Sequence, residues 1–98
     1  MPALNPASHV VSIRARRGQS QLLGQRLHAL ALLGRAVPGC LRYEVSQAGE
    51  DADLWLIHSA WSDEDALLAH LCGEAQRVFA EVLWQALAAT LEIEERIL

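Results

Sequence analysis

The sequence predicts an α+β fold, a four-stranded antiparallel sheet with helices on one face. Three observations predict it. Stretches that alternate apolar and polar residues lie near both ends and in the middle; stretches with leucine and valine at helical spacing separate them; and glycine, proline and acidic residues mark the joints. With 98 residues, 52% of them hydrophobic, the chain can bury the core of one domain.

Each element has its own signal. Residues 1–8, with prolines at 2 and 6, read as a loose leader, and 9–98 as a single domain. His9 to Arg16 alternates, with Val11, Ile13 and Ala15 on one side, which predicts a strand ended by Gly18. From Gln19 to about Gly34, Leu23, Leu27 and Leu30 form a helical stripe. Pro38-Gly39 predicts a turn, Cys40 to Gln47 a strand with Leu41, Tyr43 and Val45 facing one way, and Ala48 to Ala52 a hairpin connection. Asp53 to Trp61 is the third strand. Ser62 is the expected N-cap of a helix whose first turn carries Asp63, Glu64 and Asp65 and which carries His70 two turns on. Gly73 interrupts it, a further helix runs from Glu74 to about Ala88, and Thr90 to Leu98 alternates again as a last strand. With the last two helices counted as one unit, the order β-α-β-β-α-α-β is the ferredoxin-like split βαβ pattern.

Composition narrows the chemistry. A net charge of −4 argues against a nucleic-acid partner. All eight basic residues are arginines, so a Schiff-base lysine and a P-loop lysine are both excluded. Cys40 and Cys72 make neither a disulfide framework nor a C-x-x-C pair, which suits a cytoplasmic setting. The apolar run from Leu27 to Leu33 is far short of the roughly 20 residues needed to span a bilayer, and no secretory signal is expected at the start. Four histidines scattered over separate elements predict no metal site. In the third strand Trp55 and Ile57 share one face while Leu54, Leu56 and Ala60 share the other. One layer of helices covers only one face, so a homodimer packed through its sheet faces is expected, with His58 toward the partner.

Two motifs then converge. Pro38-Gly39-Cys40-Leu41-Arg42-Tyr43-Glu44-Val45 contains a Pro-Gly-Cys-x-x-Tyr pattern, and Trp61 through Glu64, Ala66-Leu67 and Ala69-His70 form a second. Together with their spacing they resemble the antibiotic biosynthesis monooxygenase (ABM) family of small dimeric α/β-barrel proteins, over about residues 9 to 97. The resemblance implies a pocket between sheet and helices and, in some members, oxygenation of phenols, quinols or anthrones by dioxygen without metal or flavin. Other members degrade haem or isomerise small phosphorylated sugars. The chain departs from the family pattern at Ser59, where many members have a carboxylate, and at Ala75-Gln76, where many have His-Phe. Ala80 replaces the axial histidine of haem-degrading members, which argues against haem.

The expected function is therefore a cofactor-independent monooxygenase acting on a small phenolic, quinol or anthrone-like aromatic. His70 is the candidate general base, since imidazole titrates near neutrality. Tyr43, Trp61, Phe79 and Trp84 are the candidate substrate-binding aromatics. The alternative is a non-catalytic dimeric module of the same fold that binds a small aromatic ligand. His9, His28 and the Arg14–Arg17 run are given no role; Glu92, Glu94 and Glu95 read as a polar strand face, and Cys40 as inert.

Overall fold

The computed structural model describes the backbone of residues 6–97 and the side chains of residues 6–94. Its elements follow the predicted order: β1 (Ala7–Ala15), α1 (Ser20–Arg35), β2 (Cys40–Ala48), β3 (Asp51–Trp61), α2 (Glu64–Cys72), α3 (Glu74–Trp84) and β4 (Ala88–Ile97). The strands pair antiparallel in the order β2-β3-β1-β4. That is the ferredoxin-like arrangement the alternation implied.

Alternation decides which side chains meet the helices. Along β1, Ala7, His9, Val11, Ile13 and Ala15 are buried, and along β3 Trp55, Ile57, Ser59 and Trp61 are. Leu23, Leu27 and Leu30 of α1, Leu67 of α2 and Val82 of α3 complete the core from the other layer. Each fully buried aliphatic side chain of this size contributes about 1.5–3 kcal/mol. Close approach of α1 to the sheet depends on two glycines. A Cβ at Gly24 would lie 2.4 Å from the Trp55 ring, and one at Gly34 would lie 2.6 Å from the Tyr43 ring. Both aromatics therefore pack directly against helix backbone.

Four boundaries differ from expectation. Ala7 and Ser8, assigned to the leader, belong to β1, where they pair with Trp61 and Ala60 of β3; residues 1–5 lie outside the described residues. The β2–β3 connection is only Gly49-Glu50, because Ala48 already pairs with Asp51. Asp63, not Ser62, caps α2: its carboxylate accepts the Ala66 N–H at 2.8 Å. The Ser62 N–H is spent on the Gly39 carbonyl at 2.7 Å, which ties Ser62 to the end of the sheet instead.

The fourth difference is at α3, which stops at Trp84 rather than near Ala88. Ala86 there has φ 58°, with Ala86 N–H donating to the Leu83 carbonyl and Leu87 N–H to the Val82 carbonyl. This is a Schellman ending in which alanine stands where glycine is usual. It swings Leu87 and Ala88 into the core as β4 begins. A β-carbon in this left-handed conformation is unfavourable by about 1–2 kcal/mol, partly offset in a glycine variant by the freer unfolded chain. Ala86→Gly is therefore expected to raise stability by about 1 kcal/mol. Urea unfolding measures it, and a midpoint below that of the wild type would contradict this account of the helix end.

Candidate functional site

α2 is short; Leu67 and His70, three residues apart and hence on one face, are its fully buried residues, with Ala66 and Leu71 partly buried against the core. His70 is 4% exposed. Its ring stacks on the Trp61 indole of β3, with centroids 4.9 Å apart and planes 28° from parallel. Its Nε2 lies 3.1 Å from the Tyr43 hydroxyl of β2, a distance that fits either direction of donation. Tyr43 meets the edge of both other rings, at 5.2 Å from His70 and 6.4 Å from Trp61. Three of the residues singled out by sequence thus form one buried cluster.

Its polar atoms are nearly all used within the protein. Trp61 Nε1–H donates to Ser59 Oγ at 2.9 Å, and Arg35 Nε donates to the Tyr43 carbonyl at 3.0 Å. The exception is His70 Nδ1, which is buried and has no hydrogen-bond partner among the described residues. Burial also sets the protonation states. It lowers the proton affinity of His70, as does the nearby His9, while Glu74 acts weakly the other way. Burial, with a smaller contribution from the Cys40 thiol, pushes the Tyr43 phenol above its ordinary value of 10. Near pH 7 the cluster is thus a neutral imidazole beside a neutral phenol.

The other two candidates lie elsewhere. Phe79 of α3 is buried and lines an apolar groove of about 390 Å³ with Leu71, Leu83, Leu91, Ile93 and the polar Gln76. Leu71 adjoins His70 in α2, but His70 itself is not among the groove residues. Trp84 is 90% exposed at the end of α3 and is not brought to the cluster, because the helix ends there instead of continuing along the core. Among the described residues, no group of three or more His, Cys, Asp or Glu side chains is placed to hold a metal ion.

Sequence reasoning passed over His9, which is 2% exposed and faces the helices. The signal was present: the alternation that turns Val11 and Ile13 inward also turns His9 inward two residues earlier. In the sequence Ser59 stands out only as a departure from a family pattern. Its position two residues before Trp61, on the same strand face, makes it the acceptor for the indole N–H.

The protonation state of His70 yields a stability prediction. Its proton affinity is lowered by folding, so the unfolded chain protonates first as pH falls below the ordinary value of 6.5. Stability is full above that value and is lost as pH falls toward the lowered folded value. The slope is at most about 1.4 kcal/mol per pH unit for one proton. Urea midpoints between pH 7.5 and 5.5 are expected to fall in the wild type and to fall less steeply in His70→Gln. An equal slope in both proteins would contradict the burial of a neutral imidazole.

Comparison with known proteins places this geometry. The structure matches that of PA3566 from Pseudomonas aeruginosa with a TM-score of 0.87 and 28% identity, covering 100% of this chain and 98% of that one. NE2512, a protein of unknown function from Nitrosomonas europaea, matches with a TM-score of 0.84 at 22% identity, over 99% and 92% of the two chains. SO0527 from Shewanella oneidensis matches with a TM-score of 0.87 at 19% identity, over 96% and 91%. No curated protein matches the sequence. The family model described as antibiotic biosynthesis monooxygenase matches residues 6–82, which contain the whole Tyr43–Trp61–His70 cluster. The chain belongs to the antibiotic biosynthesis monooxygenase family.

Proposed function

We propose that the protein is a cofactor-independent monooxygenase acting on a small phenolic, quinol or anthrone-like aromatic. The observation that carries this reading is the state of His70: a buried imidazole, kept neutral, with Nε2 held by Tyr43 and Nδ1 without a partner. In the tautomer in which Nε2–H donates to the Tyr43 hydroxyl oxygen, Nδ1 keeps its lone pair and is a base able to take a phenolic or enolic proton. The resulting electron-rich anion passes an electron to dioxygen. In an anthrone-type substrate a ring CH2 becomes C=O; one oxygen atom stays in the product and the other leaves as water with both hydrogens, so no outside reductant is needed. Exclusion of water protects the intermediates.

Roles follow from position. Tyr43 and Trp61 fix the plane of the imidazole, and Phe79 offers an aromatic wall in the apolar groove. Trp84, next to the groove residue Leu83, is assigned an outer stacking contact. As part of the same proposal the molecule is a cytoplasmic homodimer joined through the sheet faces opposite the helices. Leu54, Leu56 and Ala60 project there and are only half-buried within one chain, which supports this assembly. No helix among the described residues is long and apolar enough to cross a membrane.

One observation favours a second reading, a non-catalytic module that binds a small aromatic ligand. The Trp61 N–H and the His70 Nε2 are already satisfied inside the protein, so most of the cluster is complete as packing. Oxygen uptake with a panel of hydroquinones and anthrones separates the two. Turnover above the buffer rate, reduced at least about a hundredfold in His70→Ala and in the bulkier His70→Gln, is the expected result, a loss typical of removing a general base. Ligand-dependent thermal shifts with no product would instead support the binding module.

A further inference from the structure

The apolar groove between α3 and β4 carries a single polar side chain, and it stands at one end. Gln76, Phe79, Ala80 and Leu83 lie at helical spacing on one face of α3, and Leu91 and Ile93 of β4 form the opposite wall. Leu91 and Ile93 pair with Ile13 and Val11 of β1, which are buried beneath the helices. The groove therefore opens on the helix side of the sheet, and a homodimer joined through the opposite face leaves it uncovered. Ala80 is the smallest side chain lining it, so the wall recedes there. Gln76, in the first turn of α3, marks the end nearest α2. No charged side chain lines the groove among the described residues; Arg77, next to Gln76 in the chain, is bonded to Glu74. Gln76 and Leu83 are separated by about 10 Å of helix. The volume of about 390 Å³ falls within the roughly 300–1,000 Å³ of small-molecule sites.

We propose that this groove binds a flat, uncharged ring compound with a hydroxyl or carbonyl oxygen at one end, and that the Gln76 carboxamide is the specificity-determining group that holds this oxygen. The proposal rests on the reading of the protein as one that acts on small aromatics. Apolar walls favour a ring face, and Phe79 adds an aromatic contact. A carboxamide offers both N–H donors and a carbonyl acceptor. It therefore bonds a phenolic O–H, which donates, and equally a ketone oxygen, which only accepts. One side chain thus suits a phenol or quinol and the carbonyl compound made from it. A carboxylate entering the groove would lose its hydration with no cation to replace it, which selects against charged ligands. Leu71, the residue after His70, lines the groove from the last turn of α2, so the oxygen-bearing end of the ligand is set toward the helix that carries the imidazole.

Equilibrium dialysis of the full chain against β-naphthol, naphthalene and β-naphthoate tests this without turnover, so it stands or falls separately from the oxygenase reading. β-Naphthol is expected to bind about fivefold more tightly than naphthalene, the worth of one net hydrogen bond, and β-naphthoate more weakly than either. Gln76→Leu is expected to abolish the preference for the naphthol. Ala80→Leu, which fills the recess, is expected to weaken both neutral ligands by about tenfold or more. Both positions are exposed on α3 and leucine is a good helix former, so both variants keep the fold. A naphthol preference that survives in Gln76→Leu, naphthol affinity unchanged in Ala80→Leu, or no binding of any of the three compounds would overturn the proposal. The expected binding pattern in a protein without oxygen uptake would uphold the ligand site and count against the oxygenase reading alone.

Discussion

The stacking of His70 on Trp61, with Tyr43 bonded to its far nitrogen, is the contact on which the helix layer at β2 and β3 depends. α2 is a nine-residue helix, too short to persist in water by itself, and it buries Leu67 and His70 fully, with Ala66 and Leu71 partly buried beside them. One of its two fully buried side chains is therefore an imidazole. An aromatic pair of this kind is worth about 0.5–1.5 kcal/mol beyond burial, and a hydrogen bond about 1 kcal/mol. Leaving the partner of that bond unpaired costs about 1–3 kcal/mol. His70 is consequently a fold residue and a chemical residue at once. Losses of activity at this position carry meaning only beside a measurement of stability.

The same economy shapes the rest of the site. Gly34 lets the Tyr43 ring lie against α1, Arg35 holds the Tyr43 carbonyl, and Ser59 takes the Trp61 N–H. Each of these fixes a ring whose plane determines where His70 can sit. The apolar groove belongs to the other end of the sheet, where edge strand β4 meets α3 and Ile93 is 49% exposed. β1 lies between β4 and β3 in the sheet, and His9 is the inward polar residue of that intervening strand. The polar cluster and the apolar surface are thus neighbours across one strand.

Much of this was legible in the sequence because period-2 and period-3.6 patterns report directly on burial. The strands around Val11 and Ile57 and the α1 stripe through Leu23, Leu27 and Leu30 follow that rule. The pairing of Tyr43, Trp61 and His70 was foreshadowed by the two motifs that carry them. What escaped were features set by competition for hydrogen bonds. Ser62 and Asp63 are both good caps in isolation, and it is Asp63, on extended backbone just before the first helical residue, whose carboxylate accepts the Ala66 N–H. Ala86 gives no warning of a left-handed backbone, so the end of α3 and the exposure of Trp84 were hidden. His9 was missed for a different reason: a polar residue at an inward position reads as an interruption of the pattern rather than as part of a buried row.

The central claim is that the Tyr43 hydroxyl and the His70 imidazole form one buried unit rather than two independent packing residues. A double-mutant cycle in urea unfolding, with Tyr43→Phe, His70→Gln and the pair, measures it most directly. A coupling energy of about 1 kcal/mol or more is the result this account predicts. Additive effects of the two substitutions, with no coupling beyond experimental error, would contradict it.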